Sequence, residues 1–126
     1  MKELNAYFEK TEGFGVLATA DADGKVDTAV YARPHFLEDG TIAFIMRDRL
    51  THHNLQSNPH ANYLFREGTS GYKGKRLFLT KVRESEDDKL IATLRRRQYV
   101  HESDEAKFLV YFRVDKALPL VGPGKE

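Results

Sequence analysis

The chain has 126 residues, the size of one compact domain, and its 40% hydrophobic and 31% charged residues exclude a disordered polymer. A formal net charge of +1 and a pI of about 8.0 argue against a dedicated nucleic-acid binder, which carries a larger basic excess. There is no cysteine, which rules out disulfides, thiolate nucleophiles and cysteine-based zinc sites.

The opening "MKELNAYFEKTEGF" is charged and lacks the apolar core of a signal peptide. No stretch approaches the roughly 18 apolar residues of a membrane span, so a cytoplasmic location is expected. Leu4, Tyr7 and Phe8 fall at helical spacing, and Gly13 is a suitable stop for a short N-terminal helix. Val16 to Ala20 form a first strand, "DADG" turns, and Lys25 to Arg33 form the second. In the second strand Val26, Thr28, Val30 and Ala32 share the face expected to meet the core. Lys25, Asp27, Ala29, Tyr31 and Arg33 share the face with chemistry to offer.

"LEDG" is another turn, and "TIAFIMR" a third strand whose unbroken apolar run predicts burial on both faces. Thr51 is placed to cap a helix, "HHNLQS" gives it about two turns, and Pro59 ends it. "ANYLF" is a fourth strand, "REGTSGYKG" a loop, and "KRLFLTKVRE" a fifth strand. Ser85 stands three residues before Asp88 as the expected cap of the longest helix. That helix has a stripe of Leu90, Ile91 and Leu94, with Arg95, Arg96 and Arg97 at its dipole-matched end. "KFLVYFRVD" is a final strand of alternating pattern, and "ALPLVGPGKE" reads as a tail. Short hairpin turns and little helix predict a mostly β, antiparallel sheet of six strands closed into a small barrel, with a sandwich as the alternative. A single domain over 1–126 is expected, since no repeat or linker interrupts it.

"MRDRLTHHNLQSNP", residues 46 to 59, concentrates the candidate chemistry. Helical zinc ligands need i, i+4 spacing and a third partner, whereas His52 and His53 are adjacent and His60 lies beyond the proline. A solvated polar face is the better reading of these histidines, and no metal is expected. The same stretch suits an anion. Arg47 and Arg49 precede a helix whose first N–H groups and positive dipole end attract phosphate, and Thr51 adds a hydroxyl. A merely capped helix with two solvent-facing arginines is an equal alternative on these residues.

"KGKRLFLTKVR" alternates Lys and Arg with apolar residues and "LRRRQY" adds three more arginines, so Tyr72, Phe78 or Tyr99 could stack on the bases of a nucleic acid. The nearby acids in "SEDD" and "ESDE" nearly cancel that charge, so nucleic-acid binding is disfavoured. No paired carboxylates, no Ser-His-Asp set and no glycine-rich nucleotide fingerprint stand out. Difficult chemistry would need a borrowed cofactor.

The order of these features, an N-terminal helix and then "GFGVLATADADGKVDTAVYARPHFLEDGTIAFIMRDRLTHHNLQSNP", resembles the FMN-binding split-barrel family typified by pyridoxamine 5′-phosphate oxidase. The parts that carry it are the "G-x-L-A-T" strand, two "D-G" turns, the strand entering a basic hydroxyl-bearing segment, and the short helix ending in "N-P". The similarity is strongest from Gly13 to Phe65 and thin after Gly68. It implies a six-stranded antiparallel split β-barrel of Greek-key type with a few short flanking helices. It also implies a homodimer holding FMN at the interface.

By the same resemblance Ala29, Val30, Tyr31, Ala32 and Arg33 would run along the flavin ring through backbone groups. Met46, Arg47, Asp48, Arg49, Leu50 and Thr51 would approach the ring and ribityl chain and clamp the phosphate, with Asn54 nearby. Arg49 and Thr51 fall where the family places phosphate ligands, and Leu50 stands where a cation is common. Tyr99 would be an aromatic lid contributed by the second protomer. The C-terminal "VDKALPLVGPGKE" holds no counterpart of the Arg and His substrate motif of the true oxidase. The expected function is a flavin-dependent oxidoreductase or electron-transfer protein. The alternative is a non-catalytic module that binds flavin, haem or deazaflavin.

Overall fold

In a computed structural model, residues 2–94 and 106–122 are described. The chain runs α1 (Lys2–Lys10), β1 (Gly13–Ala20), β2 (Val26–Val30), β3 (His35–Phe36), β4 (Ile42–Arg47) and α2 (Leu50–Ser57). It continues through β5 (His60–Glu67), β6 (Gly74–Ser85), α3 (Asp88–Leu94) and β7 (Lys107–Pro119). The strands form one seven-stranded antiparallel sheet in the order β2-β1-β5-β6-β7-β4-β3. Six are the strands expected from the sequence, and the seventh is the two-residue β3 paired through His35↔Ala43 and Phe36↔Ile42.

The sheet curls around one core. Leu17 of β1, Phe44 and Met46 of β4, Tyr63 and Phe65 of β5, Leu77 of β6 and Phe112 of β7 all point into the same buried cluster. Its two ends meet through side chains and helices rather than a ladder. Tyr31, just past β2, packs edge-on to Phe44 with ring centroids 5.8 Å apart. Phe8 of α1 plugs the barrel, 5.9 Å from Phe36 and 5.0 Å from Phe65. A second cluster, Ala43, Ile91, Leu109 and Tyr111, lies on the opposite face of β4 and β7, where α3 covers it. Hence β4 is buried on both faces, as its apolar run predicts. The same cover corrects β7: Phe108 to Phe112 are all buried, so the strand does not alternate there.

Local chemistry sets most boundaries. Asp21 Oδ1 accepts from the amides of Asp23 and Lys25 at 2.9 Å each, and Gly24 takes the left-handed conformation (φ 83°) that closes the β1–β2 turn. α2 stops at Ser57, with Asn58 extended ahead of Pro59. Among the boundaries that differ from expectation, β1 begins earlier, at Gly13, and β2 is shorter, Val26–Val30. Asp87, not Ser85, caps α3: its carboxylate accepts from the amides of Lys89 and Leu90 at 3.1 Å, while Ser85 ends β6 and accepts from the Asp87 amide. The "ALP" of the expected tail is still β7, because Ala117, Leu118 and Pro119 pair with Leu77, Arg76 and Lys75. The long β6–β7 pair bends through register shifts at Phe78/Leu79 and Lys81/Arg83, which lets it border both halves of the sheet.

The faces of β2 are the reverse of those expected. Val16↔Val30 and Leu17↔Ala29 fix the register, so Ala29 shares the face of the fully buried Leu17. Val26 and Val30 are turned outward, 72% and 68% exposed. Alternation shows that a strand has two faces, and the neighbour decides which one is inside.

Candidate functional site

The residues that gather into a site lie where β4 hands over to α2. Met46 is wholly buried in the core, Arg47 is half-buried, and Asp48, Arg49 and Leu50 are exposed. The turn is tight: the Arg49 amide donates to the Arg47 carbonyl at 2.9 Å. Arg49 is the extended residue that begins the helix, and its carbonyl accepts from His53 at 2.9 Å. The amides of Leu50, Thr51 and His52 are the first of α2, which have no intrahelical acceptor. The corner thus places two arginines in the stretch that leads into the positive end of a helix, residue types and backbone donors with the chemistry of a phosphate site.

Thr51 does not cap that helix. The cap position falls two residues earlier, at Arg49, no side chain caps it, and Thr51 is buried with its side chain hydrogen-bonded to Tyr31. Burial pushes the Tyr31 hydroxyl up, the Thr51 hydrogen bond opposes that rise, and the Asp27 carboxylate adds to it. This contact brings together the two expected segments, 29–33 and 46–51. The Tyr31 amide also donates to Gly15 at 3.0 Å, which extends the β1–β2 ladder as far as the corner.

The remaining expected residues have varied surroundings. Ala29 is half-buried against Leu17, whereas Val30 and Ala32 face outward. Arg33 turns to α1, donating to the carbonyls of Phe8 at 2.8 Å and Thr11 at 3.3 Å, where it satisfies the end of that helix. Asn54 is buried and its amide donates to Thr19 Oγ1 at 3.1 Å, which locks α2 onto β1. Tyr99 lies outside the described residues. A groove between α1, β3 and α3, lined by residues that include Asn5, Glu9, His35 and Leu94, holds none of the expected site residues.

One group at the corner escaped the sequence reading, which took both histidines as solvated. His53 is exposed, but His52 is only 6% exposed and its ring lies between Asp48 and Glu84. The i, i+4 spacing of Asp48 and His52 was visible, whereas Glu84 lies 32 residues away on β6. Among the described residues, no group of three or more His, Asp or Glu side chains is arranged to hold a metal ion, and no helix is long and apolar enough to cross a membrane.

Comparison with known proteins agrees with this architecture. A family model described as pyridoxamine 5′-phosphate oxidase matches residues 1–117. The fold is similar to an FMN-binding protein from Syntrophomonas wolfei subsp. wolfei, with TM-score 0.76, 18% identity, and 96% of this chain and 86% of that one covered. It is similar to Group A Streptococcus HupZ, with TM-score 0.72, 16% identity, and 100% and 98% covered. It is also similar to an F420 reductase, with TM-score 0.71, 14% identity, and 86% and 90% covered. At such identities the likeness is one of fold. Among curated proteins, none matches.

Proposed function

This chain belongs to the pyridoxamine 5′-phosphate oxidase-like FMN-binding split-barrel family, and on that premise we propose that it is an FMN-binding homodimer serving flavin-dependent redox chemistry. The observation that carries this reading is the corner at Arg47, Arg49 and the first amides of α2, whose donors fit a phosphate monoester. Bound flavin would supply the exchange of electrons or hydride. The chain's own residues would hold and orient it. Arg47 and Arg49 would neutralise the phosphate, the amides of Leu50 to His52 would donate to its oxygens, and the backbone from Ala29 to Ala32 would hold the ring.

The exposed face of the sheet supports assembly with a second copy. Val30, Val16 and Leu64 are neighbours across β2, β1 and β5, and Phe14 and Phe78 extend the apolar surface on the same sheet. Burying such surface is the main driving force of obligate dimers. Val30 immediately precedes Tyr31, so this face ends at the corner, and a cofactor there would lie beside the interface.

The test is the protein as purified, examined for visible flavin absorbance and for FMN binding by calorimetry. Absence of both overturns the reading. Rapid reduction of the bound flavin by a nicotinamide nucleotide, followed by stopped flow, would identify an enzyme. Binding with no turnover by any reductant would favour the non-catalytic alternative.

A further inference from the structure

His52 is held from three directions. Its Nδ1 lies 3.0 Å from Asp48 Oδ1, and its Nε2 lies 2.9 Å from Glu84 Oε2. The ring stacks on Phe108 of β7, with centroids 4.0 Å apart and planes 14° apart. Gln56, one turn along α2, donates to Glu84 Oε1 at 3.0 Å and to the His52 carbonyl at 2.9 Å. Those bonds use both hydrogens of its amide, so its approach to Nε2 at 3.1 Å is not a further donation. Lys81 Nζ binds the same Glu84 carboxylate at 2.6 Å. The charged groups around the ring are therefore Asp48 from the turn and Glu84 from β6, with Lys81 behind it. β7 presents Phe108 and α2 itself presents Gln56.

An ionised carboxylate only accepts hydrogen bonds, and a neutral imidazole has one N–H and one bare nitrogen. A neutral ring would turn a lone pair toward one of these carboxylates. Only the doubly protonated ring donates to both. This matters at the corner because Asp48 stands between Arg47 and Arg49, where its charge opposes a bound anion. A doubly protonated ring would offset that charge, pin the turn to the helix and tie both to β6.

We propose that His52 is a positioning residue whose imidazolium bridges Asp48 and Glu84, so that proton uptake by His52 and binding of a phosphate monoester at the Arg47–Arg49 corner favour each other. This rests on the corner being the FMN phosphate site. Because linkage is reciprocal, bound FMN holds the proton on His52, and the proton raises affinity for FMN.

The experiment uses the full chain labelled with ¹⁵N. Long-range ¹H–¹⁵N correlation reads the His52 ring while FMN affinity is followed from about pH 5.5 to about pH 9, a span that covers ordinary histidine titration. The doubly protonated signature is expected at the acid end, and affinity is expected to fall roughly fivefold or more as it disappears. Added FMN should shift its loss to higher pH.

In His52→Phe, which keeps a ring against Phe108, and in Asp48→Asn at the exposed turn, only the titration of the phosphate itself should remain. Riboflavin, which lacks the phosphate, should show no dependence on His52. A neutral-tautomer signature at the acid end, or equal pH profiles in wild type and both variants, overturns the proposal and leaves the flavin reading intact. Failure of wild type to bind FMN at any pH overturns the flavin reading and the linkage together.

Discussion

The hydroxyl of Tyr63 donates to the backbone carbonyl of Tyr31 across 3.0 Å, and it can do so only because residue 15 has no side chain. A Cβ on Gly15 would lie 1.9 Å from the Tyr63 oxygen and 2.7 Å from the Tyr31 carbonyl oxygen. The bond joins β5 to the chain just past β2, and so fixes the stretch that runs into the corner. Gly15→Ala is expected to destabilise the fold by about 1–3 kcal/mol, the usual cost of overpacking. Tyr63→Phe should cost about 1 kcal/mol for the lost hydrogen bond. The double variant should lose less than the sum in denaturant titrations, since each change breaks the same contact. Simple additivity would show that the contact is not shared.

Arg49→Ala is expected to weaken FMN binding by about 1.5–3 kcal/mol, the range for a hydrogen bond to a charged group. Calorimetry on the folded variant reads it. Unchanged affinity would move the phosphate away from α2.

Val30→Glu paired with Leu64→Glu places carboxylates in the exposed apolar row of β2 and β5. Burying these charges against a second copy would be costly, so sedimentation should show a monomer. FMN affinity should fall with it, since Val30 adjoins the corner. A variant that remains dimeric would place the interface elsewhere.

Acid should weaken the tie between α2 and β6. Burial raises the carboxyl of Glu84, but hydrogen bonds from Lys81, His52 and Gln56 outweigh it and hold the group down from 4.5 to about 2. A carboxylate depressed in the folded state contributes stability that is complete above its unfolded value and lost as pH falls through the folded one. Stability is therefore expected to decline between about pH 4.5 and about pH 2, and Glu84→Gln should flatten that slope in pH-dependent thermal unfolding. An equally steep slope in the variant would assign the acid sensitivity to other groups.

Much of this protein is local and was legible as such. The "DADG" turn, the doubly buried "TIAFI" strand and the helix stopped by Pro59 follow from short-range rules of backbone and side chain, and all three appear as expected. The order of those parts also pointed to the family. The basic corner was visible because Arg47, Arg49 and the start of α2 are consecutive in the chain.

What tertiary structure decided is which way things face and whom they meet. The period of β2 was plain, but its inward side depends on register against β1, which turned Ala29 in and Val30 out. Thr51 looked like a cap because its sequence neighbours suit one, yet its hydroxyl meets Tyr31 from another segment. His52 looked solvated until β6 brought Glu84 to it and β7 brought Phe108. Spacing along a chain specifies periodicity and local hydrogen bonding. Partners tens of residues apart are chosen only when the sheet curls, because burial is a property of the assembled surface and not of any one segment.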